Sequence, residues 1–444
     1  MLRIQPPAFR PVPFLALALA IWLVHVAALA AQDPGNKTPV PDQPAREKAL
    51  KLVKDVFGEE YERAETSSRK LDLAKELLRE AAQTKDDPVA HFVLLDQASD
   101  LAARAGEAGV AFQAVDEMDE VFAIDAPKRK VAAVSKLAES ARTTTQNKLL
   151  AQYALILLDD LVADDRFDTA EQIGATILDA ARKARDGKLV RHVVTRNKQI
   201  ARIAKAYAQA RTAFATLRKN PTDPKANLAA GKYLCYLKGD WDRGLPMLAQ
   251  GSDETLKTLA ATELQKPASA AQQAKLADGW WQLAKEEEDT ARRQLQLHAA
   301  DWYRKAVGAL SGLSRAKAES RLEEVDSMES RDFTTSAGGS EDSRSKTTHK
   351  PDGKEPQVVA VWRHSAGGGR GGEIKFYSNG RINSPDGRAT WGVQGNVLIL
   401  VWPADRAPGG RWIDRCVLSP DRRFYLGKNQ NNVTIRGRLV QGGI

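Results

Sequence analysis

Apolar residues keep two different rhythms along this chain, and the change between them falls near residue 331. Leu150, Tyr153/Ala154, Leu157 and Leu161 recur at i, i+3/i+4, i+7 and i+11, which is one stripe of an α-helix. The same spacing returns in Ala299, Trp302/Tyr303, Ala306, Ala309/Leu310 and Leu313. Each stripe needs a second helix to cover it. Downstream the pattern is that of strands: Val358 to Trp362 is a β-branched run, Glu373 to Ser378 alternates, and Val397 to Trp402 is continuously apolar.

Punctuation supports the same division. Asp87-Pro88 and Asp223-Pro224 each place a side-chain acceptor at an N-cap and a proline at the first helical position, where its missing N–H is not needed. Pro127 and Pro267 mark further helix starts, so the intervals 88–127 and 224–267 each predict one αα-hairpin. Gly106 to Gly109, Arg185-Asp186-Gly187 and Lys238-Gly239-Asp240 supply the breaks. A single hairpin cannot bury both of its faces, whereas stacked hairpins can, so residues 45–330 predict an array or solenoid of antiparallel helix pairs. Among the later strands, Asn379-Gly380 is a hairpin signal, Gln394-Gly395-Asn396 and Ser419-Pro420-Asp421-Arg422 are turns, and Val433-Thr434-Ile435 opens a final strand. The predicted fold is therefore mainly α, followed over 356–444 by a small all-β antiparallel meander of about seven strands, a barrel or a sandwich.

Two segments belong to neither part. In residues 1–30, Arg3 and Arg10 precede the apolar run Phe14 to Val24, and Ala28-Leu29-Ala30 fits a small-x-small cleavage site; this reads as a signal peptide cut after Ala30. The competing reading is an uncleaved membrane anchor over 13–31, the one route by which a membrane becomes a partner. The expected compartment is extracytoplasmic, periplasmic or secreted. Residues 31–44, with Pro34, Pro39, Pro41 and Pro44, read as a flexible tether, and 331–355, crowded with Ser, Thr and Gly, as a disordered linker.

Charge changes the picture of the last part only. Residues 356–444 hold 13 Lys and Arg against 5 Asp and Glu, a local +8 of the chain's +9. Such asymmetry points to an anionic partner for that module, or only to solubility. Within it Trp362, Trp391, Trp402, Trp412 and Tyr425 interleave with Arg363, Arg381, Arg411, Arg415, Arg422 and Arg423. Aromatic faces stack on sugar rings, and guanidinium groups take carboxylate or sulfate in bidentate fashion. The alternative is that the tryptophans are core and the arginines solubilise. The candidate ligand-binding residues are Trp362, Arg363, Trp391, Trp402, Arg411, Trp412, Arg415, Arg422 and Arg423. An anionic polysaccharide or surface polymer is the expected partner, and nucleic acid is not.

Two stretches of the helical body resemble known repeats. Asn227 to Tyr233, with Gly231, followed by Gly239-Asp240-Trp241-Asp242-Arg243-Gly244-Leu245, resembles a tetratricopeptide repeat, with one extra residue between Gly231 and Gly239 and with Gly244 where that family favours Ala. Ala299-Ala300-Asp301-Trp302-Tyr303-Arg304-Lys305-Ala306 is similar to the second helix of a Sel1-type repeat. The whole arrangement is similar to that of exported bacterial proteins. The resemblance implies a superhelical scaffold for protein or peptide contacts and no catalytic residue.

Catalytic motifs are missing from the sequence. Gly367 to Gly372 satisfies GxGxxG but precedes a strand rather than a helix, so it reads as a loop between strands. His25, His91, His192, His298, His349 and His364 are scattered with no HExxH and no metal spacing. Ser343-Arg344-Ser345-Lys346 matches SxxK but lies in the linker. The run Glu286 to Asp289 fans around its helix and reads as a solvated face, and Trp280-Trp281 as core. Cys235 and Cys416 fall in different parts and read as idle thiols or one interdomain bridge. No cofactor and no metal is expected. The leading reading is a non-enzymatic extracytoplasmic scaffold or binding protein; a hydrolase with its site in the helical groove, or a purely structural envelope protein, are the alternatives.

Overall fold

The computed structural model describes residues 37–336, 356–367, 371–403, 411–429 and 433–444. Residues 1–36, read as signal peptide and most of the tether, and residues 337–355, read as linker, lie outside the described residues.

Among the described residues, fifteen helices come first: α1 (Gln43–Val56), α2 (Gly58–Arg63), α3 (Ser67–Gln83), α4 (Pro88–Ala105), α5 (Ala108–Val121), α6 (Ala126–Ser140), α7 (Thr144–Ala163), α8 (Phe167–Lys183), α9 (Gly187–Lys219), α10 (Pro224–Lys232), α11 (Trp241–Leu248), α12 (Glu254–Leu264), α13 (Ala270–Glu286), α14 (Asp289–Val307) and α15 (Gly312–Ser336). Most pack against their sequence neighbours, α3 on α4, α4 on α5, α7 on α8, α8 on α9 and α13 on α14. Asp87 and Asp223 cap α4 and α10 as the sequence predicts, Asp87 accepting from the Val89 and Ala90 amides and Asp223 from the Ala226 amide. The helical body is wider than 45–330. Pro44 stands in the first turn of α1, so that helix, with Asp42 as N-cap, begins inside the stretch read as tether, and α15 reaches Ser336 inside the stretch read as linker. Thr38 forms a parallel bridge with Phe122, which pins the end of the tether.

Beside a small cluster of Ala213, Ala226 and Ala230, the helices share two large apolar cores. One runs from Val53 to Tyr233 and Leu234, with Phe92, Phe112, Tyr153, Leu158 and Ile177 buried in it. The other holds Cys235, Trp280, Trp281, Leu295 and Tyr303. Helix α9, 33 residues long, packs on α8, α10 and α15 and links the two. It is too long for one arm of a regular repeat. The interval 224–267 is also not a single hairpin: it holds α10, α11 and α12.

The extra residue that separates Asn227–Leu245 from tetratricopeptide spacing has a structural place. Tyr233–Lys238 is a π-helical turn, which takes up one more residue than an α turn, and Gly239 closes it at φ 68°. Gly231 and Gly244 let α10, the π turn and α11 close up; a Cβ on Gly244 would stand 2.5 Å from Cys235 Sγ, and one on Gly231 2.8 Å from Leu248 Cδ2.

Seven antiparallel strands follow: β1 (Val358–Ala366), β2 (Gly372–Tyr377), β3 (Thr390–Gln394), β4 (Val397–Pro403), β5 (Arg411–Leu418), β6 (Phe424–Asn429) and β7 (Thr434–Gly442). Their order is β2-β1-β7-β6-β5-β4-β3, so β1 pairs with β7 and the meander curls round. Only β2 and β3 remain to be joined. The chain after Asn379-Gly380 runs between them, with Ile382 bridging Phe376 and Arg381 bridging Thr390, which nearly closes a barrel. Inward residues alternate along each strand, and Trp362, Phe376, Leu398, Leu400, Cys416 and Tyr425 fill the interior. Both cysteines are buried free thiols. No described helix is long and apolar enough to cross a membrane.

Candidate functional site

The basic module does not stand apart from the helices. The outward residues Val417, Phe424 and Leu426 of β5 and β6 enter the first helical core, where the Phe424 and Tyr153 rings stack with centroids 6.5 Å apart. Along β6 and β7 the outward basic residues meet acids of α5 and α7: Lys428 Nζ lies 2.8 Å from Asp160 Oδ1, Arg436 Nη1 3.3 Å from Asp116 Oδ1, and Arg438 Nη1 3.2 Å from Glu117 Oε1. Asp116 and Lys130 are both buried and paired at 2.7 Å. The acids around Arg436, Asp116 first, hold its guanidinium charged more firmly than usual. Much of the local positive charge is therefore matched within the chain.

At one end of the barrel lie the β3–β4 and β5–β6 turns, which touch the helices through Asn396 to Gln152 (3.2 Å) and Asp421 to Lys75 (2.8 Å). The other end gathers a polar cluster. Trp402 Nε1 donates to Asp414 Oδ2 at 2.6 Å, His364 Nε2 stands 3.9 Å from the same oxygen, and His364 Nδ1 is 2.8 Å from the Tyr425 hydroxyl. Asp414 and Tyr425 are buried, and His364 is largely so. Burial pushes the Asp414 carboxyl up to about 6, against the opposing pull of Trp402 N–H and Arg415, and burial lowers the His364 imidazole to about 4. Tyr425 can sit here because Gly437 across the strand pair has no side chain; a Cβ there would overlap the phenol ring.

Trp402 is also one wall of a surface cavity of about 360 Å³, lined further by Ser384, Pro385, Asp386, Arg388, Ala389 and Pro403. No described residue of the helices lines it. Asp386 is held near 2 by the Arg388 amide, the Ser384 hydroxyl and the Arg388 guanidinium, so it stays ionised. Beside this cavity, Trp402 pairs with Trp412 and Pro403 with Arg411 in the β4–β5 register.

The nine candidate residues are thus brought together only in part. Trp402, Trp412 and Arg411 converge at this end, with Arg411 exposed. Trp362 is fully buried core, and its Nε1 has no hydrogen-bond partner. Trp391 stacks on Phe376 inside the barrel and donates to Tyr377 O at 3.0 Å. Arg363 is exposed on the outer face opposite Glu373, and Arg415 lies on the outer face between Ile399 and Lys428. Arg422 and Arg423 belong to the opposite end, where Arg422 donates to Ile444 O at 2.9 Å. The sequence reading missed Asp386, Arg388, His364 and Asp414. The strand alternation that puts Asp414 inward with Cys416 was the available signal for the last.

A second histidine–carboxylate pair lies in the helical body. His298 Nε2 is 2.9 Å from Glu263 Oε2, which also accepts from Trp280 Nε1 at 2.6 Å. Trp241 covers the imidazole, Trp280 meets its edge, and none of the four lines the cavity beside Trp402 or the one between α14 and α15 at Val307 and Leu322. Trp281 is buried as well, so both tryptophans are core. Among the described residues no group of three or more His, Cys, Asp or Glu is placed to hold a metal ion. Comparison with protein families, with curated proteins and with solved structures returns no match for this chain.

Proposed function

We propose that this is an exported, non-enzymatic binding protein in which a tetratricopeptide-like helical array serves protein or peptide contacts and the barrel takes an anionic glycan or surface polymer at the end that carries Trp402. The observation that supports this most is that Trp402, the register partner of Trp412, and Pro403, the register partner of exposed Arg411, both line a cavity to which no described helical residue contributes. Indole faces offer stacking area to a sugar ring, and a guanidinium at the rim takes a carboxylate or sulfate through two parallel N–H donors. The docked residues Lys428, Arg436 and Arg438 take no part, because their partners are internal.

The test is retention of the full chain on immobilised dextran sulfate through a salt series. Trp402→Ala and Arg411→Gln should each weaken retention several-fold, while the double change Arg422→Gln/Arg423→Gln at the opposite end should leave it unaltered. Retention that ignores salt, or equal losses from both ends, overturns the assignment. Export is checked separately: the mature protein should begin at Ala31 on N-terminal sequencing.

A further inference from the structure

The polar cluster under Trp402 is an odd content for a small barrel. A carboxyl group and an imidazole without water are costly to bury, and apolar residues of the same size would pack as well. Their placement gives them a role at the end that carries Trp402, a role that rests on the reading of that end as an anion site.

We infer that the Asp414–His364 pair controls the cavity lined by Trp402, which accepts an anionic polymer when the pair holds a proton and disfavours it when the Asp414 carboxylate is bare. One side chain, Trp402, separates the carboxyl from the cavity, lining the latter and donating to the former at 2.6 Å. Among the described residues, the strands around the pair bring few other ionisable groups inward. His364 comes from β1, Trp402 from β4, Asp414 and Cys416 from β5 and Tyr425 from β6, whereas the inward residues Ile374 and Phe376, Trp391 and Val393, and Ile435 and Leu439 carry no ionisable group. Burial drives the Cys416 thiol and the Tyr425 phenol well above their ordinary values, so both stay neutral. Arg415 faces outward next to Asp414, and Asp386 at the rim is ion-paired with Arg388 at 2.9 Å and held ionised.

The proton comes from solvent. When it binds, the net charge of the pair goes from −1 to 0, whichever of the two groups carries it. A buried charge is poorly screened, so its removal matters to an anion one residue away. At an effective dielectric of about 20 and a separation of about 10 Å, the relief is on the order of ten-fold in affinity.

Dextran sulfate is a suitable probe because its sulfates stay ionised throughout. The full chain should bind it about ten-fold more tightly near pH 5 than near pH 7.5, and the Asp414→Asn chain should bind with the tighter affinity at both. Asp386→Asn should keep the slope of the parent. His364→Gln, which leaves the Asp414 carboxyl in place, should keep the parent's pH step; it also serves if Asp414→Asn fails to fold, and loss of the step in it counts against Asp414 as the gate. Binding with the parent's slope in Asp414→Asn overturns the gate while the anion site stands. No binding at any pH overturns the anion site, and the gate with it.

Discussion

Trp241 lies flat on His298, their ring centroids 3.5 Å apart and their planes within 7° of parallel, while Glu263 below takes hydrogen bonds from both His298 and Trp280. Four residues from α11, α12, α13 and α14 are joined in this way at the centre of the second helical core. Glu263→Ala should cost about 3 kcal/mol, because an indole N–H and an imidazole N are left buried without a partner, and Glu263→Gln, which keeps an acceptor, markedly less. Urea unfolding of the two variants checks the ranking.

The buried ion pair between α5 and α6 should be asymmetric in its response. Asp116→Ala leaves Lys130 buried and uncompensated and removes the nearer partner of Arg436, so a loss of about 3–5 kcal/mol is expected. Arg436→Met leaves Asp116 paired with Lys130 at 2.7 Å and should cost markedly less. Equal losses in urea titrations would contradict this account of the junction.

Asp414 and His364 should make opposite contributions to stability against pH. The Asp414 carboxyl is raised from 3.8 to about 6 in the fold, so the stability it gives is full below about pH 4 and lost as pH rises through 6. The imidazole of His364 is lowered from 6.5 to about 4, so its contribution is present above about 6.5 and lost as pH falls through 4. The two slopes oppose each other over nearly the same range, and the parent should show little net change from this pair. Asp414→Asn should then gain stability with rising pH and His364→Gln should lose it, each by roughly 2–3 kcal/mol between pH 4 and 6.5. Thermal unfolding at a series of pH values reads this out.

Glycines in the barrel are predicted to divide sharply. Gly437→Ala places a methyl group against the Tyr425 ring and Gly427→Ala one against the Arg415 carbonyl, so both should destabilise by about 2 kcal/mol or more. Gly392 has open space where a Cβ would go, and Gly392→Ala should be nearly neutral. Melting temperatures of the three single variants decide it.

Arg185 closes α8 at φ 55°, a left-handed conformation that favours glycine. It is exposed, so Arg185→Gly should stabilise by about 0.5–1 kcal/mol, measured by urea midpoint at constant m-value.

Much of the fold could be read from the sequence because it is set locally. The Asp-Pro caps of α4 and α10, the breaks at Gly106, Arg185-Asp186-Gly187 and Gly239, and the strand rhythm after 356 each act within a few residues. The docking of the barrel could not be read the same way. Asp116, Glu117 and Asp160 on one side and Arg436, Arg438 and Lys428 on the other look like solvated faces until they meet, and their separation along the chain exceeds 260 residues. One trace was present: Phe424-Tyr425-Leu426 is apolar on both faces of a strand, which calls for cover on both. The candidate site fared worse because it depended on which end of a barrel each arginine reaches, and that follows from register rather than composition.

The contact between Tyr153 and Val417 spans 264 residues, and it sets an order of events in assembly. Helices α5 and α7 cannot bury Phe112 and Tyr153 fully until β5 and β6 arrive, so a ribosome or translocon will have delivered some 260 further residues while that patch waits uncovered. Such a long wait exposes a greasy surface to chance partners, and holdase chaperones that shield it would be expected to govern the yield of folded protein.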